Sequence, residues 1–261
     1  MTLKTIITFL NYKLTAYTEH DVHSPFVYNF YTELIKNKHP YNDFELLSNL
    51  RKELRVNFKS IEIIDLGAGS KKLSGVKRSI RQIAKHGIAQ KKQAEFLYRL
   101  VNKFNPKTLV ELGTSLGLTS LYVSKAIPKS TLYTIEGCPN LFNFSKKLFQ
   151  RQEAKNIISL NGNFNSELLE LLSKIDSLDF LYIDGNHAYE PTMAYFKMAL
   201  QKKNASTIIV FDDIYWSNEM ERAWKEICAN TEVTLSLDLF YFGIIFFRPE
   251  QKNKEHFVLK F

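Results

Sequence analysis

Apolar positions follow a helical period over the first hundred residues of this chain. HDVHSPFVYNFYTELI (20–35) has the Ser-Pro start of a helix at Ser24-Pro25, and NDFELLSNLRKELRV (42–56) carries apolar residues on one face only. QKKQAEFLYRLVNKF (90–104) repeats that pattern, and Asn105-Pro106 ends it. We therefore expect the N-terminal part of the chain to be helical.

From residue 105 onward, short apolar segments alternate with amphipathic ones. The predicted strands are 108–113, 132–137, 156–162, 178–185 and 206–214, and the helices that follow them are 118–127, 140–153, 166–175, 191–203 and 218–229. Continuous apolar strands that alternate with helices indicate a parallel sheet covered on both faces. Two further strands, 232–240 and 241–248, leave no room for a helix between them and must pair antiparallel.

These patterns predict the fold class and the domains. The fold is α/β: a doubly wound, mostly parallel seven-stranded sheet with a C-terminal antiparallel hairpin, plus a helical N-terminal extension. Residues 1–104 form the extension or lid, and residues 105–261 form the α/β domain.

Composition narrows the class of protein. The 261 residues are 45% hydrophobic and 24% charged, as in an ordinary globular protein. Two cysteines, Cys138 and Cys228, provide neither a disulfide framework nor a zinc spacing, which favours a reducing compartment. The N-terminal apolar run is too short for a secretory signal, and LDLFYFGIIFF (237–247) is too short to span a bilayer. We expect a cytoplasmic protein without membrane contact.

The net charge of +8 is concentrated in one segment. No acid occurs between Asp65 and Glu95, whereas eight basic residues do: Lys71, Lys72, Lys77, Arg78, Arg81, Lys85, Lys91 and Lys92. Val76, Ile80 and Ile83 have helical spacing, which would place Lys77, Arg81 and Lys85 on the opposite face of a helix. This segment is either a solvated helix face or a docking surface for an anionic substrate or RNA, although no aromatic residues are interleaved for stacking.

Two stretches have the form of a strand that turns into a nucleotide-binding loop: IEIIDLGAGSKK (61–72) and KTLVELGTSLGL (107–118). Such a site needs a helix directly after the loop and an acid at the end of the next strand, about 20 residues on. The second stretch meets both conditions, because Glu136 ends the strand LYTIEG. The first is followed by the basic segment. We therefore place the pocket at 107–118 and interpret DLGAGS as a tight turn or a turn that covers the pocket.

The loop ELGTSLG lacks the dinucleotide pattern G-x-G-x-x-G. Its E-x-G-x-x-x-G form, Glu136 and the terminal hairpin resemble the class I S-adenosylmethionine-dependent methyltransferases over residues 105–248. LYIDGNHAYEPTMAYF (181–196) and IIVFDDIYW (208–216) are similar to segments of small-molecule O-methyltransferases of the catechol, caffeoyl-CoA and antibiotic-sugar types.

The resemblance implies S-adenosylmethionine as cofactor. The implied cofactor-binding residues are Glu111, Gly113, Thr114, Ser115, Gly117, Glu136, Gly137, Asn163, Phe164 and Asp184. Glu136 would accept the ribose hydroxyls, and residues 163 and 164 would contact adenine, although the family often has an acid where this chain has Asn163.

Three aspartates follow the C-terminal ends of two predicted neighbouring strands: Asp184, Asp212 and Asp213. Carboxylates at this edge suit Mg²⁺ or another divalent cation, which would bind the acceptor hydroxyl. Alternatively, Asp184 contacts the cofactor and one of the other aspartates caps the following turn. His187 is the candidate catalytic base, with Asp184 as its partner.

The function expected from these features is O-methylation of a hydroxyl group on a small molecule. The basic segment would suit an anionic acceptor. Two alternatives stay open: an RNA-directed methyltransferase that uses the basic 71–92 segment, and a non-catalytic S-adenosylmethionine-binding protein. A nicotinamide-dependent oxidoreductase is disfavoured by the glycine spacing. A homodimer is compatible with the sequence.

Overall fold

The structure is a computed structural model that describes residues 3–63 and 77–261. DLGAGS, Val76 and the basic residues 71–72 lie outside the described part, so the predictions about them are not addressed. Two compact units divide the chain: Met1–Lys38 with Ser177–Phe261, here called the first unit, and His39–Asp176, the second unit. This division differs from the boundary predicted at 104/105, which stays a prediction.

The elements alternate as follows along the chain. The N-terminal elements are α1 (Leu3–Thr15), α2 (Pro25–Phe30), which continues as a π-helical turn (Tyr31–Ile35), α3 (Asp43–Arg55), β1 (Ser60–Glu62), β2 (Lys77–Ser79), α4 (Ile80–His86) and α5 (Lys91–Phe104). The α/β series is β3 (Thr108–Leu112), α6 (Leu118–Ala126), β4 (Thr131–Glu136), α7 (Pro139–Arg151), β5 (Ile157–Asn161), α8 (Phe164–Lys174), β6 (Leu178–Ile183), α9 (Tyr189–Leu200), β7 (Lys203–Asp212) and α10 (Asn218–Ala229). The last strands are β8 (Leu235–Asp238), β9 (Phe242–Phe246) and β10 (Glu255–Val258).

The first unit contains a five-stranded sheet in the order β10-β8-β9-β7-β6. β6 and β7 pair parallel, whereas β9 pairs antiparallel with both β7 and β8. The predicted terminal hairpin is therefore confirmed. β10 adds a strand that sequence periodicity did not predict, paired parallel to β8.

The second unit contains three parallel strands in the order β3-β4-β5, with Glu111 opposite Thr134 and Glu136 opposite Asn161. A separate antiparallel pair, β1 with β2, precedes them. The parallel strands of both units and the hairpin confirm the α/β fold class, with one strand more than the seven predicted.

The described part of the basic segment is only partly helical. Lys77 lies in β2, and the helix begins at Ile80 after a capping box between Ser79 and Gln82. The Ser79 hydroxyl accepts the Gln82 N–H, and the Gln82 side chain accepts the Ser79 N–H, which fixes this helix start. The prediction that placed Lys77 on the helix is wrong because that residue pairs with Glu62 across β1.

Burial explains the regular elements of the second unit. Leu109, Val110 and Leu112 of β3 are fully buried, as expected for a strand covered on both faces. α5 ends at Asn105, whose φ of 47° is left-handed, directly before Pro106. Within the described ranges, the structure shows no helix that is both long and apolar enough to cross a membrane.

Candidate active site

The glycine-rich loop, residues 113–117, joins β3 to α6 in a strained conformation. Gly113, Ser115 and Gly117 have φ values of 105°, 50° and 80°. A Cβ at Gly117 would lie 2.6 Å from the Phe149 ring, so α7 occupies the space that a side chain would need. The second glycine of the motif is therefore required both by its positive φ and by packing.

Glu136 fastens this loop to the end of β4. Its Oε2 accepts the Ser115 N–H at 2.8 Å, and its Oε1 accepts the Cys138 N–H at 2.8 Å. A carboxylate can accept about four hydrogen bonds, so one side chain can make several such contacts. The acid predicted to bind a ribose thus also holds Ser115 in its left-handed conformation.

Glu111 lies fully buried behind the loop. Its Oε2 accepts hydrogen bonds from the Ser120 hydroxyl and, at 2.6 Å, from the Thr134 hydroxyl. Thr134 in turn accepts from Thr114 at 2.6 Å, because its own proton is given to Glu111. Glu111 Oε1 has no partner within the described residues. Burial raises the pKa of Glu111 to about 7, and the two hydroxyl donors oppose that rise.

Residues 161–164 connect β5 to α8 beside Glu136. The Asn161 amide donates to the Glu136 carbonyl at 2.7 Å and weakly to the Gly137 carbonyl at 3.4 Å. Asn163 is the N-cap of α8, with its side-chain oxygen accepting the Asn165 N–H at 2.9 Å. The cap accounts for a short side chain with an acceptor oxygen at this position, a requirement that aspartate would meet equally well. Contact of Asn163 and the half-buried Phe164 with adenine stays a prediction.

The acidic cluster, Asp184, Asp212 and Asp213, lies in the first unit at the ends of β6 and β7. The Tyr182 hydroxyl is 3.1 Å from Asp184 Oδ2 and 3.0 Å from Asp212 Oδ2. Burial is the main cause of a raised pKa at both Asp184 and Asp212; the charge of Asp212 adds to the rise at Asp184, and that of Asp213 to the rise at Asp212. Two of the three predicted carboxylates are thus brought together directly.

The backbone of Asp213 forms the turn after β7. Its φ is 53°, and its N–H lies 3.0 Å from Asp212 Oδ1 and 2.8 Å from the Tyr241 carbonyl. Its carbonyl accepts the Trp216 N–H at 2.8 Å, which closes the turn after β7. This geometry supports the alternative in which Asp212 stabilises the following turn.

His187 stands next to the acidic cluster. Its Nε2 is 3.7 Å from Asp184 Oδ1, and its ring centroid is 6.2 Å from that of Trp216. Burial lowers the pKa of His187, and the charge of Asp213 opposes that change. Asn186, the preceding residue, has a φ of 55°. Strained backbone therefore occurs here as well as in the glycine-rich loop, as is common at functional sites.

The described residues do not show the predicted divalent-cation site. Within residues 3–63 and 77–261, no group of three or more His, Cys, Asp or Glu side chains could hold a metal ion. The Tyr182 hydroxyl contacts one oxygen of each buried aspartate, and burial and the neighbouring carboxylates raise the pKa of both. The metal assignment to Asp184, Asp212 and Asp213 stays an untested prediction.

Sequence reasoning missed three positioning side chains: Ser120, Thr134 and Tyr182. Thr134 and Tyr182 are polar residues inside buried strands, LYTIE and LYID, and both lie two positions before a candidate acid. A buried polar side chain needs a partner, and alternation along a strand points residues i and i+2 to the same face. That spacing was the available signal.

The family described as "Methyltransferase domain" matches residues 110–214, from the end of β3 to the turn after β7. This stretch of the chain is therefore similar to a methyltransferase domain. The resemblance seen in the sequence to the class I S-adenosylmethionine-dependent methyltransferases is thereby confirmed.

Curated and solved relatives agree with the methyltransferase domain. A catechol O-methyltransferase of Niastella koreensis is 26% identical over 125 residues, 47% of this chain and 56% of that protein. The match thus spans little more than half of that relative's length. The S-adenosylhomocysteine-bound methyltransferase PaMTH1 of Podospora anserina has a TM-score of 0.62 at 15% identity, over 87% of this chain and 97% of that chain. The O-methyltransferase TomG of Streptomyces achromogenes, in complex with S-adenosylmethionine, has a TM-score of 0.53 at 18% identity, covering 62% and 82%. At these identities the solved structures establish the methyltransferase fold.

Proposed function

We propose that this protein is an S-adenosylmethionine-dependent methyltransferase that acts on a hydroxyl group of a small molecule. The observation that carries the proposal is the glycine-rich loop held by Glu136, with Ser115 N–H bound at 2.8 Å. The matched methyltransferase family supports it, as do solved relatives whose descriptions name bound S-adenosylmethionine or S-adenosylhomocysteine.

The residues of the second unit fit this cofactor chemically. Glu136 lies at the end of β4 beside the glycine-rich loop, where it would accept ribose hydroxyls, and Glu111 holds a buried oxygen without a partner in the described ranges. The positive φ values at Gly113, Ser115 and Gly117 form a tight turn directly before α6. The backbone N–H groups in the first turn of a helix have no acceptor within that helix. In this proposal Glu136 binds the ribose and the loop passes the methionine part of the cofactor.

The proposed reaction is an in-line substitution. S-adenosylmethionine supplies a methyl group activated by a sulfonium. The acceptor oxygen forms a bond to that carbon, the carbon–sulfur bond breaks with its electron pair going to sulfur, and S-adenosylhomocysteine leaves. The hydroxyl proton goes to a base. Positioning and proton removal supply most of the acceleration in such a reaction.

We assign the base role to His187 and a positioning role to Asp184. The supporting contact is the 3.7 Å distance from His187 Nε2 to Asp184 Oδ1, which places the Asp184 carboxyl group beside the imidazole ring. Burial of His187 favours the neutral imidazole that can accept a proton. These roles, the lid role of residues 1–104, a cytoplasmic location and a homodimer remain predictions.

The test is calorimetric titration of S-adenosylhomocysteine, with NAD in parallel, into the full chain. We expect S-adenosylhomocysteine to bind and NAD to give no heat. Glu136→Ala should weaken the binding at least about tenfold, because it removes both the ribose acceptor and the contact with Ser115 N–H. Glu170→Ala, which removes an exposed glutamate of the same unit that pairs with Lys174, is the matched control and should bind as the parent does.

Absence of S-adenosylhomocysteine binding by the parent protein would contradict the proposal. Equal loss in Glu170→Ala would show that the effect of Glu136→Ala is not local. A bound cofactor without methyl transfer to any hydroxyl compound would favour the non-catalytic alternative.

A further inference from the structure

A basic groove of about 650 Å³ lies in the second unit, built from three separate segments of the chain. Its lining residues are Arg55 at the end of α3, Arg81 and Lys85 of α4, Gln90 before α5, and Lys91 and Lys92 in the first turn of α5. The volume lies within the range of small-molecule sites. Five cations and one amide line it, which gives the groove the chemistry of an anion site.

Acidic residues are sparse in the sequence around the groove. The sequence has no acid between Asp65 and Glu95, and Glu95 lies 3.7 Å from Lys91. Glu53, two residues before Arg55, forms a two-point ion pair with Arg151 at 2.7 and 3.1 Å. Cations gathered in a concave surface raise its positive potential and attract anions.

The helix direction adds to this potential. Lys91 and Lys92 occupy the first turn of α5, a helix of 14 residues without an acid in that turn. Helix N-termini carry partial positive charge, and lysine is unfavourable there. A bound anion would relieve this placement by interacting with the helix dipole and the side chains together.

An exposed aromatic ring stands beside the cations. Phe58 is 70% exposed, and the Arg81 guanidinium lies 5.1 Å from its ring centroid. Among the large exposed apolar side chains described in residues 39–63 and 77–176, Phe58 is the only aromatic one. A single ring can stack on one planar base, whereas binding of single-stranded RNA uses a series of such rings.

The connection from α4 to α5, which lies between the lining residues Lys85 and Gln90, is held by two hydrogen bonds. The buried Arg51 donates from Nη1 to the Ala89 carbonyl at 2.7 Å. The Ser115 hydroxyl donates to the Gly87 carbonyl at 3.0 Å. The connection from α4 to α5 is thus fixed in place, and it joins the groove to the glycine-rich loop. Such preorganisation lowers the cost of binding a ligand.

We propose that this groove binds the phosphate groups of a small nucleotide ligand, a nucleoside diphosphate or a conjugate of one. The phosphates lie against Arg55, Lys85 and the first turn of α5, and the base stacks at Phe58 and Arg81. Arginine and lysine bind phosphate oxygens through charge-assisted hydrogen bonds. The site goes beyond the proposed function, because transfer of a methyl group from S-adenosylmethionine does not require a second phosphate-binding groove.

The experiment is calorimetric titration of ADP, pyrophosphate, adenosine and a single-stranded RNA oligonucleotide into the full chain. Saturating S-adenosylhomocysteine is present, so that the proposed cofactor site does not contribute adenosine binding. We expect ADP to bind, pyrophosphate to bind more weakly, and adenosine to fail. ADP affinity should fall with rising salt, as for any ligand held by several cations.

Variants locate the binding. Arg55→Ala combined with Lys85→Ala should weaken ADP and pyrophosphate at least about tenfold. Phe58→Ala should weaken ADP by about tenfold and leave pyrophosphate unchanged, because only the base stacks. Lys129→Ala removes an exposed lysine that does not line the groove and is the matched control. Circular dichroism melting of each variant checks that it folds.

Three results would overturn the proposal: no binding of ADP and pyrophosphate, ADP binding that the groove variants leave unchanged, or RNA binding that grows with oligonucleotide length while ADP fails. Titration of S-adenosylhomocysteine alone tests the proposed function separately. If S-adenosylhomocysteine does not bind, the proposed function fails. If ADP and pyrophosphate do not bind, or bind equally well to the groove variants, the groove proposal fails.

Discussion

Replacing Glu111 with glutamine removes a buried ionisable group and keeps its size. In the structure Glu111 Oε2 accepts two hydroxyl hydrogen bonds, and Oε1 lacks a partner within the described residues. The pKa of Glu111 is raised from 4.5 to about 7 by burial. The folded protein therefore holds a proton on this group at pH values where the unfolded chain has released it.

The magnitude follows from proton linkage. A rise from 4.5 to about 7 corresponds to about 3.4 kcal/mol at ~1.36 kcal/mol per tenfold change in proton affinity. The stability contribution is fully present below pH 4.5 and is lost as the pH rises through 7, because the folded state binds more protons between these values. Between pH 5 and 8 this one group should lower the free energy of unfolding by about 2.5 kcal/mol.

The assay is urea unfolding followed by far-ultraviolet circular dichroism from pH 5 to 8, for the parent protein and Glu111→Gln. Tryptophan fluorescence is unsuitable because Trp216 and Trp224 both belong to the first unit. Glutamine leaves an amide donor in place of Oε1, which costs about 1–3 kcal/mol at every pH. The parent should therefore be the more stable protein at pH 5 and should lose that advantage by pH 8.

The difference between the two proteins isolates Glu111, because the other titrating groups are common to both. Glu170→Gln, at an exposed glutamate, is the control and should run parallel to the parent. The parent and Glu111→Gln differ in their free energy of unfolding. If that difference stays constant within about 0.5 kcal/mol from pH 5 to 8, the raised pKa of Glu111 is refuted.

Two further substitutions test the strained loop and the acidic cluster. Gly117→Ala should lower the free energy of unfolding by roughly 2–4 kcal/mol and weaken S-adenosylhomocysteine binding, because the φ is 80° and the new Cβ would lie 2.6 Å from Phe149. Gly87→Ala is the control, because Gly87 has a φ of −121° and its nearest contacts lie at 3.4 Å. Equal melting temperatures of the two variants would contradict the packing argument. Tyr182→Phe should lower the free energy of unfolding by about 1–2 kcal/mol, because two buried carboxyl groups lose their shared donor. Tyr133→Phe, at a half-buried tyrosine of β4, is the comparison. An unchanged free energy of unfolding in Tyr182→Phe would show that the hydroxyl does not stabilise the pair.

Prediction from the sequence succeeded where the signal was local. A few neighbouring residues were enough to predict three features: the start of a helix at Ser24-Pro25, the end of α5 before Asn105-Pro106, and the strand that ends at Glu136. Elements that depend on a distant partner strand were not predicted. Periodicity did not reveal β10, because a four-residue strand becomes a strand only through its partner β8. Likewise, Lys77 fits a helical spacing with Arg81 and Lys85, but pairing with Glu62 makes it part of β2.

The sequence by itself determined the order of strands and helices, the position of the glycine-rich loop and the acid that follows the next strand. Only the tertiary structure decided that Glu136 holds Ser115, that Tyr182 joins Asp184 and Asp212, and that three distant segments build a basic groove. The physical reason is the range of the interactions. Hydrophobic period, caps and turns act within a few residues, whereas hydrogen bonds and charges in a site depend on side chains that meet only after the chain has folded.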